Sequence, residues 1–362
     1  MKIFFRFIMV LLNIMVAVSL ALACLCGFIS PKTIWWIGFF GLAYMYLLAF
    51  NVFFLFFWIF SRKKIMLLIS LIPILIGWPF IGKNMQFSGK EIPLEMMDRS
   101  FKILSFNVQG FEEMNTKQRD GNMLNIFDFI RDEDADIICF QEFKINRWDT
   151  NINEKAIHKK LENTPFYHKF LNKKIFGVAT FSKFPIIREE LVYADNTTNV
   201  CICSDLLIGT DTVRIYNIHL KSVGFQMEEM DLLNNMVKKE YDKSDLYMIK
   251  SIIQQIRDAS FERANQVEIL VSHIEQSPYP VIVCGDFNDP PTSYSYRKVR
   301  GNRKDAFVEA GSGRSTTFDI GRIASLRIDN ILFSDVFKAY NYESPRVQLS
   351  DHYPVMCRLV KQ

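Results

Sequence analysis

The chain has 362 residues, of which 49% are hydrophobic and 23% are charged, and its formal net charge is +4. The positive charge lies in the N-terminal part, since residues 101–362 contain 34 Lys or Arg and 36 Asp or Glu. This nearly neutral remainder argues against a dedicated duplex-binding domain, because such domains carry a basic surplus that neutralises phosphates.

Three long apolar runs precede residue 83, at about residues 7–29, 34–60 and 65–81. The first two exceed the ~20 residues that span a bilayer, and the third is near the lower limit of ~17. Aromatic residues at both ends of the second run suit the two membrane interfaces. Pro73, Gly77 and Pro79 weaken the third run, so two spans are the alternative. Residues 1–82 are therefore predicted to be a transmembrane region of three helices.

The orientation of these helices follows from their flanking basic residues. Two basic residues precede the first run, Lys32 stands alone before the second, and three lie at 62–64 before the third. This distribution predicts a multi-pass cell-membrane protein whose C-terminal domain is extracytoplasmic. The cysteines show no disulfide framework, which argues against an extracytoplasmic location of this domain. A cleaved signal peptide is the alternative for the first run, but its apolar core is too long.

After an 18-residue linker at residues 83–100, strand-like and helical patterns alternate through residues 101–362. This alternation predicts one α/β domain. The predicted strands are Lys102–Asn107, Asp136–Gln141, Gly177–Ser182, Val200–Ile208, Val213–Leu220, Val281–Gly285, Ile328–Phe333 and Val355–Leu359. The predicted helices are Lys117–Asp132 and Phe261–Glu275.

Residues 222–259 follow the strand that carries His219 and contain many Met, Lys and Glu residues. They are predicted to be helical and are either a lid or membrane-facing rim, or an ordinary amphipathic surface helix. The apolar residues that would form such a rim are Met227, Met230, Leu232, Leu233, Met236 and Tyr247.

The segment from Val281 to Asp289 is the most informative part of this domain. An apolar strand ends in Gly285 and is followed by Asp286 and Asn288. If the chain stays extended, residues two apart project to the same side and form a polar pair. The alternative is a simple turn, because Gly, Asp and Asn favour turns for backbone reasons.

Other predicted strands also end or begin with side chains that can bind a metal ion or a phosphate. Singly, each has an ordinary explanation, such as a turn residue for Asn107 or a core histidine for His219. Their recurrence in one domain indicates a common site. The segments are Asn107, Gln141-Glu142, Asn217-Ile-His219, Asp286-Phe-Asn288, Arg327-Ile-Asp329 and Ser350-Asp351-His352.

This ordered set resembles the endonuclease/exonuclease/phosphatase superfamily, the DNase-I-like phosphohydrolases, over essentially all of residues 101–362. Residues 177–186 resemble that family's internal strand, with Lys183 where Arg or Lys is usual, and Asn330 stands where an aromatic residue is frequent. The resemblance implies a four-layered α/β sandwich, here preceded by a helical transmembrane region. It also implies hydrolysis of a phosphate ester with a divalent cation, usually Mg²⁺, with Mn²⁺ as the alternative.

The resemblance also implies site roles. Glu142 would be the first metal ligand, with Asn107 and Asp351 beside it. His352 and Asp329 would form a hydrogen-bonded pair in which His352 is either the general base or a cation that holds the phosphate.

The remaining implied roles concern the attacking water and the phosphate. Asp286 is the rival of His352 for activating water, and Asn288 would hold a phosphate oxygen or the nucleophile. His219 would donate to a nonbridging oxygen. Asn217 is a further candidate for phosphate binding.

Three hypotheses for the function follow. A membrane-anchored phosphoesterase that hydrolyses a lipid headgroup or a small phosphorylated molecule fits the anchor and the charge balance. A metal-dependent nuclease acting on DNA or RNA is the alternative. A non-catalytic protein that binds phosphorylated ligands is the third, although the intact motifs argue against it. The sequence gives no oligomeric state.

Overall fold

The computed structural model describes residues 2–61, 63–112, 115–117, 123–146, 148–172, 176–195, 198–225, 227–235, 243–320 and 324–362. Its α-helices are α1 Lys2–Leu25, α2 Gly38–Leu42, α3 Tyr44–Ile59, α4 Leu67–Asn84, α5 Ile126–Glu133, α6 Glu154–Lys160, α7 Met227–Asn235, α8 Lys243–Glu275, α9 Tyr294–Arg300 and α10 Ala306–Ala310. Short 3₁₀ turns occur at Trp35–Ile37, Lys64–Met66, Leu94–Arg99 and Gln109–Phe111.

The strands form two six-stranded sheets and two small two-stranded pairs. They are β1 Ser100–Asn107, β2 Asn115–Lys117, β3 Met123–Asn125, β4 Ile137–Lys144, β5 Phe166–Asn172, β6 Phe176–Ser182, β7 Ile186–Ala194, β8 Val200–Ile208, β9 Asp211–His219, β10 Val281–Asp286, β11 Lys304–Asp305, β12 Phe318–Ile320, β13 Ala324–Leu326, β14 Asp329–Phe333, β15 Phe337–Glu343 and β16 Val355–Lys361. The first sheet has the order β15-β16-β1-β4-β6-β5 and the second has the order β11-β14-β10-β9-β8-β7.

The two large sheets pack face to face, and helices cover their outer faces. Side chains that alternate along the strands, such as Ile103 and Ile282, fill the core between the sheets. Phe127 of α5 and Ile157 of α6 pack on the outer face of the first sheet. Val267 of α8 does the same for the second sheet, where α9 also packs. The predicted four-layered α/β sandwich is confirmed.

The eight predicted strands all occur, with ends that differ by a few residues. The predicted helix Lys117–Asp132 is wrong in its first half, because β3 intervenes and α5 begins only at Ile126. Asn125 sets that start, since its side chain accepts the backbone N–H of Phe127 at 2.9 Å. Residues 118–122 lie outside the described part of the chain. The predicted helix Phe261–Glu275 is the second half of the longer α8.

The N-terminal helices are the apolar part of the structure. Two helical stretches, Phe4–Leu25 and Lys64–Asn84, are long and apolar enough to cross a membrane. The pair Trp35–Leu42 and Tyr44–Ile59 is bent by 61° and would be a third span if both parts belong to one crossing. A hydrogen bond of 2.8 Å from Trp58 Nε1 to Asn13 Oδ1 joins α3 to α1 inside this bundle.

The N-terminal helices contact the sandwich directly. The Oγ1 of Thr292 donates a buried 2.9 Å hydrogen bond to the carbonyl of Gly41 in α2. The guanidinium of Arg297 lies 3.6 Å from the centre of the Phe28 ring. A Cβ atom at Gly27 would lie only 3.0 Å from the Thr292 carbonyl oxygen. The two backbone segments are therefore so close that a side chain at position 27 would push them apart. The segment between α1 and α3 therefore packs on the chain that follows β10.

The linker is also bound to the sandwich. Gln86 and Gly313 exchange backbone hydrogen bonds of 2.9 and 2.7 Å, and the N–H of Asn341 donates to the Lys90 carbonyl at 2.7 Å. These bonds hold the end of α4 against the domain, so the linker is a fixed connection in this structure.

Candidate active site

The predicted site residues meet at one edge of the two sheets because of strand direction. Strands β1 and β4 are parallel and end at the same edge of the first sheet, as β9 and β10 do in the second. Strands β14 and β16 are antiparallel to β10 and β1, so they begin at that edge. The side chains brought there are Asn107, Glu142, His219, Asp286, Asp329 and His352.

Asp286 lies at the centre of this group and is 1% exposed. Its Oδ1 accepts the backbone N–H of Asn288 at 2.8 Å. Its Oδ2 accepts from the side-chain amides of Asn107 at 3.1 Å and Asn288 at 3.2 Å. The Nε2 atoms of His219 and His352 lie 3.6 and 3.7 Å from the same oxygen. One carboxylate is thus surrounded by N–H groups from both sheets.

Asn288 reaches Asp286 through a turn and not through extended backbone, which corrects the predicted alternation. Its φ is +50°, in the left-handed region that Asn tolerates. Its Nδ2 donates to the Leu220 carbonyl at 3.0 Å as well as to Asp286. Both amide protons are therefore committed, and the carbonyl oxygen is the group left to face a ligand.

Gly285 permits this turn because its own backbone comes very close to the neighbouring strand. Its φ is +139°, and a Cβ atom there would lie 2.0 Å from the Ile218 carbonyl oxygen. A side chain at position 285 would therefore push β10 away from β9 and displace Asp286.

His219 is fully buried, and one of its ring nitrogens faces two carboxylates. Its Nδ1 lies 3.1 Å from the Thr198 carbonyl, which can only accept, so Nδ1 carries a proton. Its Nε2 lies 3.6 Å from both Glu142 Oε1 and Asp286 Oδ2 and has no hydrogen-bond partner. A buried ring nitrogen of this kind is suited to bind a group that enters between the two carboxylates.

Glu142 has a backbone conformation that is uncommon for a residue with a side chain. Its φ is +49°, and the pairing of β4 with β6 shifts register between Gln141 and Phe143. This bulge turns the Glu142 carboxylate toward the site, where Asn107 Nδ2 lies 3.4 Å from Oε1. Strain of this type often occurs at functional positions.

His352 and Asp329 form the predicted pair, with His352 Nδ1 at 2.9 Å from Asp329 Oδ2. Burial lowers the pKa of His352, but the carboxylates of Asp329 and Asp286 outweigh it and raise this pKa to about 10. Burial, together with Asp286, raises the pKa of Asp329 to about 6, against the opposing effect of His352. At neutral pH the pair is an imidazolium and a carboxylate. The ring of Phe318 packs on His352 with centroids 4.8 Å apart and fixes its plane.

Two sets of residues could hold a cation. Among the described residues, Asp286, Asp329 and His352 bring possible ligand atoms within 4.8 Å of one another. However, Asp329 and His352 are hydrogen-bonded to each other, so this set is better suited to proton transfer than to coordination of a metal ion. Glu142 and the exposed Asp351 present two carboxylates to the same cavity, and carboxylate pairs with water suit Mg²⁺.

Asn107 is placed between these sets. Its Oδ1 accepts the backbone N–H of Gln109 at 3.1 Å, so its amide nitrogen faces Glu142 and Asp286. In this orientation Asn107 positions the two carboxylates, and ligation by its oxygen requires rotation of the amide. The Asp351 loop is tied to the same strand end, since Ser350 Oγ donates to the Asn107 carbonyl at 2.8 Å.

Asn217 does not face the site, which corrects its assignment as a phosphate contact. It is fully buried, and its Nδ2 donates to the Ala179 carbonyl at 2.9 Å and the Phe140 carbonyl at 3.2 Å. Its Oδ1 accepts from Gln141 Nε2 at 2.7 Å. These bonds connect the two sheets, so Asn217 is part of the framework beneath the site.

Arg327 of the Arg-Ile-Asp segment is also structural. It makes two hydrogen bonds to Asp305, of 2.8 and 3.1 Å, and both side chains are almost fully buried. Asp305 also accepts the hydroxyl of Tyr296 and caps α10. The pair therefore fixes the start of β14, and with it Asp329, against α9 and α10.

A cavity of about 620 Å³ lies over the site. Glu142, Asp286, Asn288, Asp351 and His352 line one end of it. Another part of the lining comes from the N-terminal helices, and we call this the N-terminal wall. It consists of Trp35, Ile37, Phe39 and Leu42. Its contact with the site was absent from the sequence-based prediction.

The segment at residues 222–259 supplies another part of the cavity. Met230 lines it together with Ile252 and Ile256 of α8, whereas Tyr247 is exposed. Met236 lies outside the described residues. The predicted helical character is therefore confirmed for α7 and α8, and one face of these helices contributes to the site.

Arg263 also lies at the cavity, although the sequence did not indicate a role for it. It lines the cavity, donates to the Lys221 carbonyl at 2.7 Å and forms a 3.1 Å ion pair with Asp289. Its pattern in the sequence is that of an ordinary helical arginine, so no local signal distinguishes it.

Comparisons with known proteins support the fold. Residues 104–352 match the model of the Endonuclease/Exonuclease/phosphatase family, and residues 5–84 match a model described as a domain of unknown function. An exodeoxyribonuclease of Bacillus subtilis (strain 168) is 22% identical over 258 residues, which cover 69% of this chain and 82% of that protein.

The chain is also similar to solved structures. The endonuclease/exonuclease/phosphatase from Beutenbergia cavernae is 15% identical, with a TM-score of 0.50, over 73% of this chain and 72% of that one. Truncated TDP2 from Caenorhabditis elegans is 16% identical, with a TM-score of 0.46, over 72% of this chain and 98% of that one.

Proposed function

Because the chain belongs to the endonuclease/exonuclease/phosphatase family, we propose that it is a membrane-anchored phosphoesterase that uses a divalent metal ion. The substrate we favour is a lipid headgroup or another small phosphorylated molecule. The observation that carries this proposal is the cavity in which the site residues face a wall built from the N-terminal helices.

In the proposed reaction a water oxygen attacks phosphorus as the ester P–O bond breaks. The carboxylate of Asp286 takes the proton of the attacking water, since it is the acceptor at the centre of the site. The carbonyl oxygen of Asn288 accepts a hydrogen bond from the O–H that the water keeps and so orients the nucleophile, because the amide protons of Asn288 are already committed. The leaving alkoxide takes up a proton from solvent.

Two histidines would bind the phosphate oxygens. The Nε2 of His219 has no hydrogen-bond partner among the described residues and would bind a phosphate oxygen that enters between Glu142 and Asp286. His352 is held by Asp329 and presents its Nε2 toward Asp286. Donors fixed in a buried site stabilise the negative charge that develops in the transition state.

The metal would be held by Glu142 and Asp351, with Asn107 positioning the Glu142 carboxylate. We favour Mg²⁺, because both proposed ligands are hard oxygen donors. When bound, the ion would polarise a phosphoryl oxygen and offset its negative charge.

A nuclease remains the second candidate, since one relative is an exodeoxyribonuclease. The charges that line the cavity favour a small substrate over a polynucleotide. Of the described residues that line it, Arg263 is the one Arg or Lys, and Asp289 balances its charge. Polynucleotide binding normally uses several basic side chains along the phosphate backbone.

We expect the purified full-length chain in nanodiscs to hydrolyse bis-p-nitrophenyl phosphate with Mg²⁺ and to lose this activity in EDTA. A substrate panel at fixed salt should then show release from phospholipids, phosphoinositides or nucleotides and no nicking of plasmid DNA. Nicking of plasmid without action on the other substrates would establish the nuclease instead. Binding of phosphate esters without turnover would identify a non-catalytic protein.

We propose that the N-terminal helices cross the cell membrane more than once and place the sandwich outside the cytoplasm, as the flanking basic residues indicate. A fusion of alkaline phosphatase to the C-terminus should then be active, and a fusion of green fluorescent protein should be dark when exported by the general secretion route. The opposite pair of results would place the domain in the cytoplasm.

A further inference from the structure

The cavity over the site has a polar end and an apolar remainder. The catalytic carboxylates and His352 occupy the polar end. The apolar remainder combines the N-terminal wall with the cavity-lining residues of the segment at 222–259. Its main side chains are Trp35, Ile37, Leu42, Phe225, Ile252 and Ile256.

The cavity is larger than hydrolysis of a phosphate group requires. Its volume of about 620 Å³ lies within the ~300–1,000 Å³ of pockets that bind drug-sized molecules. A phosphate at Asp286 and His352 fills only the polar end. The remainder is mostly apolar, apart from the Arg263–Asp289 ion pair, and favours hydrocarbon, since each buried methylene improves binding about fourfold.

The apolar part is continuous with the helices that carry the membrane anchor. Trp35–Leu42 is bent by 61° from Tyr44–Ile59 and lines the cavity with Trp35, Ile37 and Leu42. Trp36 lies between the lining residues Trp35 and Ile37 in the chain, and its side chain is 46% exposed. Lys32 in the preceding loop is paired with Glu268 of α8 at 2.8 Å, which holds this wall against the sandwich. A hydrocarbon chain therefore has an apolar surface from the anchor to the phosphate site.

We infer that the apolar part of the cavity binds the hydrocarbon chain of the substrate, which is an amphiphilic phosphate ester drawn from the membrane. This inference rests on the proposed phosphoesterase function and adds the substrate class and the residues that recognise it. The phosphate lies at Asp286 and His352, and the chain lies between Leu42 and Ile256.

The test uses p-nitrophenyl alkyl phosphates with methyl, butyl and octyl groups, all kept below their critical micelle concentrations. They share one scissile bond and differ only in chain length. With the full chain in nanodiscs, kcat/KM should rise at least about tenfold from methyl to octyl. Ile256→Asn and Ile256→Trp should bring the octyl-to-methyl ratio of kcat/KM close to one, the first by polarity and the second by filling the cavity.

The matched control is Ile253→Asn, since Ile253 lies on α8 at 38% exposure and does not line the cavity. It should keep the full chain-length dependence. Equal hydrolysis of all three esters by the unaltered protein would overturn the inference and leave the phosphoesterase intact. Hydrolysis of none of them would overturn the proposed function itself. A chain-length dependence unchanged in both Ile256 variants would place the hydrocarbon site elsewhere.

Discussion

Glu142→Gln should lower kcat/KM for bis-p-nitrophenyl phosphate by about 10³-fold, because it removes the charge that would hold the metal ion. The substitution keeps the volume and the hydrogen-bonding reach of the side chain. It also keeps the left-handed backbone of the bulge, since Gln and Glu have similar backbone preferences there. The loss would therefore come from ligand chemistry and not from misfolding.

The measurement is a Mg²⁺ titration of activity together with the melting temperature of each variant. The variant should need a higher Mg²⁺ concentration for half-maximal rate and should melt within a few degrees of the unaltered protein. Glu133→Gln is the matched control, because Glu133 forms an ion pair with Lys102 away from the cavity. If Glu142→Gln keeps more than a tenth of the activity, Glu142 is not the main ligand.

Most of the sandwich could be predicted because its central strands carry strong local signals. Their side chains are buried on both faces, so they appear in the sequence as short apolar runs. Within the two large sheets, the strands missed by the prediction are the edge strands, namely β5, β7, β11 and β15. All nine residues of β7 are half-buried or exposed, and three of them, Arg188, Glu189 and Glu190, are charged. An edge strand has one open side, and its composition is correspondingly closer to that of a loop.

The site could be predicted as a set of residue types but not as a geometry. Asp286 and Asn288 do meet, yet through a turn that the alternation argument did not foresee. Asn217 has the same appearance in the sequence as the other strand-end residues. It differs because Gln141 and the carbonyls of the opposite sheet saturate its amide. Only the packing of the two sheets decides which polar strand end faces a ligand and which joins the layers.

The contact between the N-terminal helices and the site has no local signal. The bond from Thr292 to Gly41 joins residues 251 apart in the chain. The aromatic cluster at Trp35–Phe40 indicates a membrane interface, but composition does not tell which domain surface lies above it. The sequence therefore predicted an anchor beside a catalytic domain, whereas in the structure the N-terminal helices also line the cavity.

Asp286→Asn should reduce kcat by 10³-fold or more with little change in KM, because it removes the proposed base and reverses one hydrogen bond. An amide at this position still offers one oxygen to the N–H of Asn288. Its nitrogen then faces the amide nitrogen of Asn107, which donates and cannot accept a hydrogen bond. Asp258→Asn, on the exposed face of α8, is the control and should behave as the unaltered protein.

The comparison with His352→Gln decides which residue takes the proton from water. If Asp286 is the base, Asp286→Asn should be the more damaging of the two, since His352→Gln removes a phosphate-binding charge but leaves the acceptor in place. Single-turnover rates with bis-p-nitrophenyl phosphate separate this effect on the chemical step from product release. A loss of tenfold or less in Asp286→Asn, beside an inactive His352→Gln, would assign the base to His352 and leave Asp286 as the group that orients it.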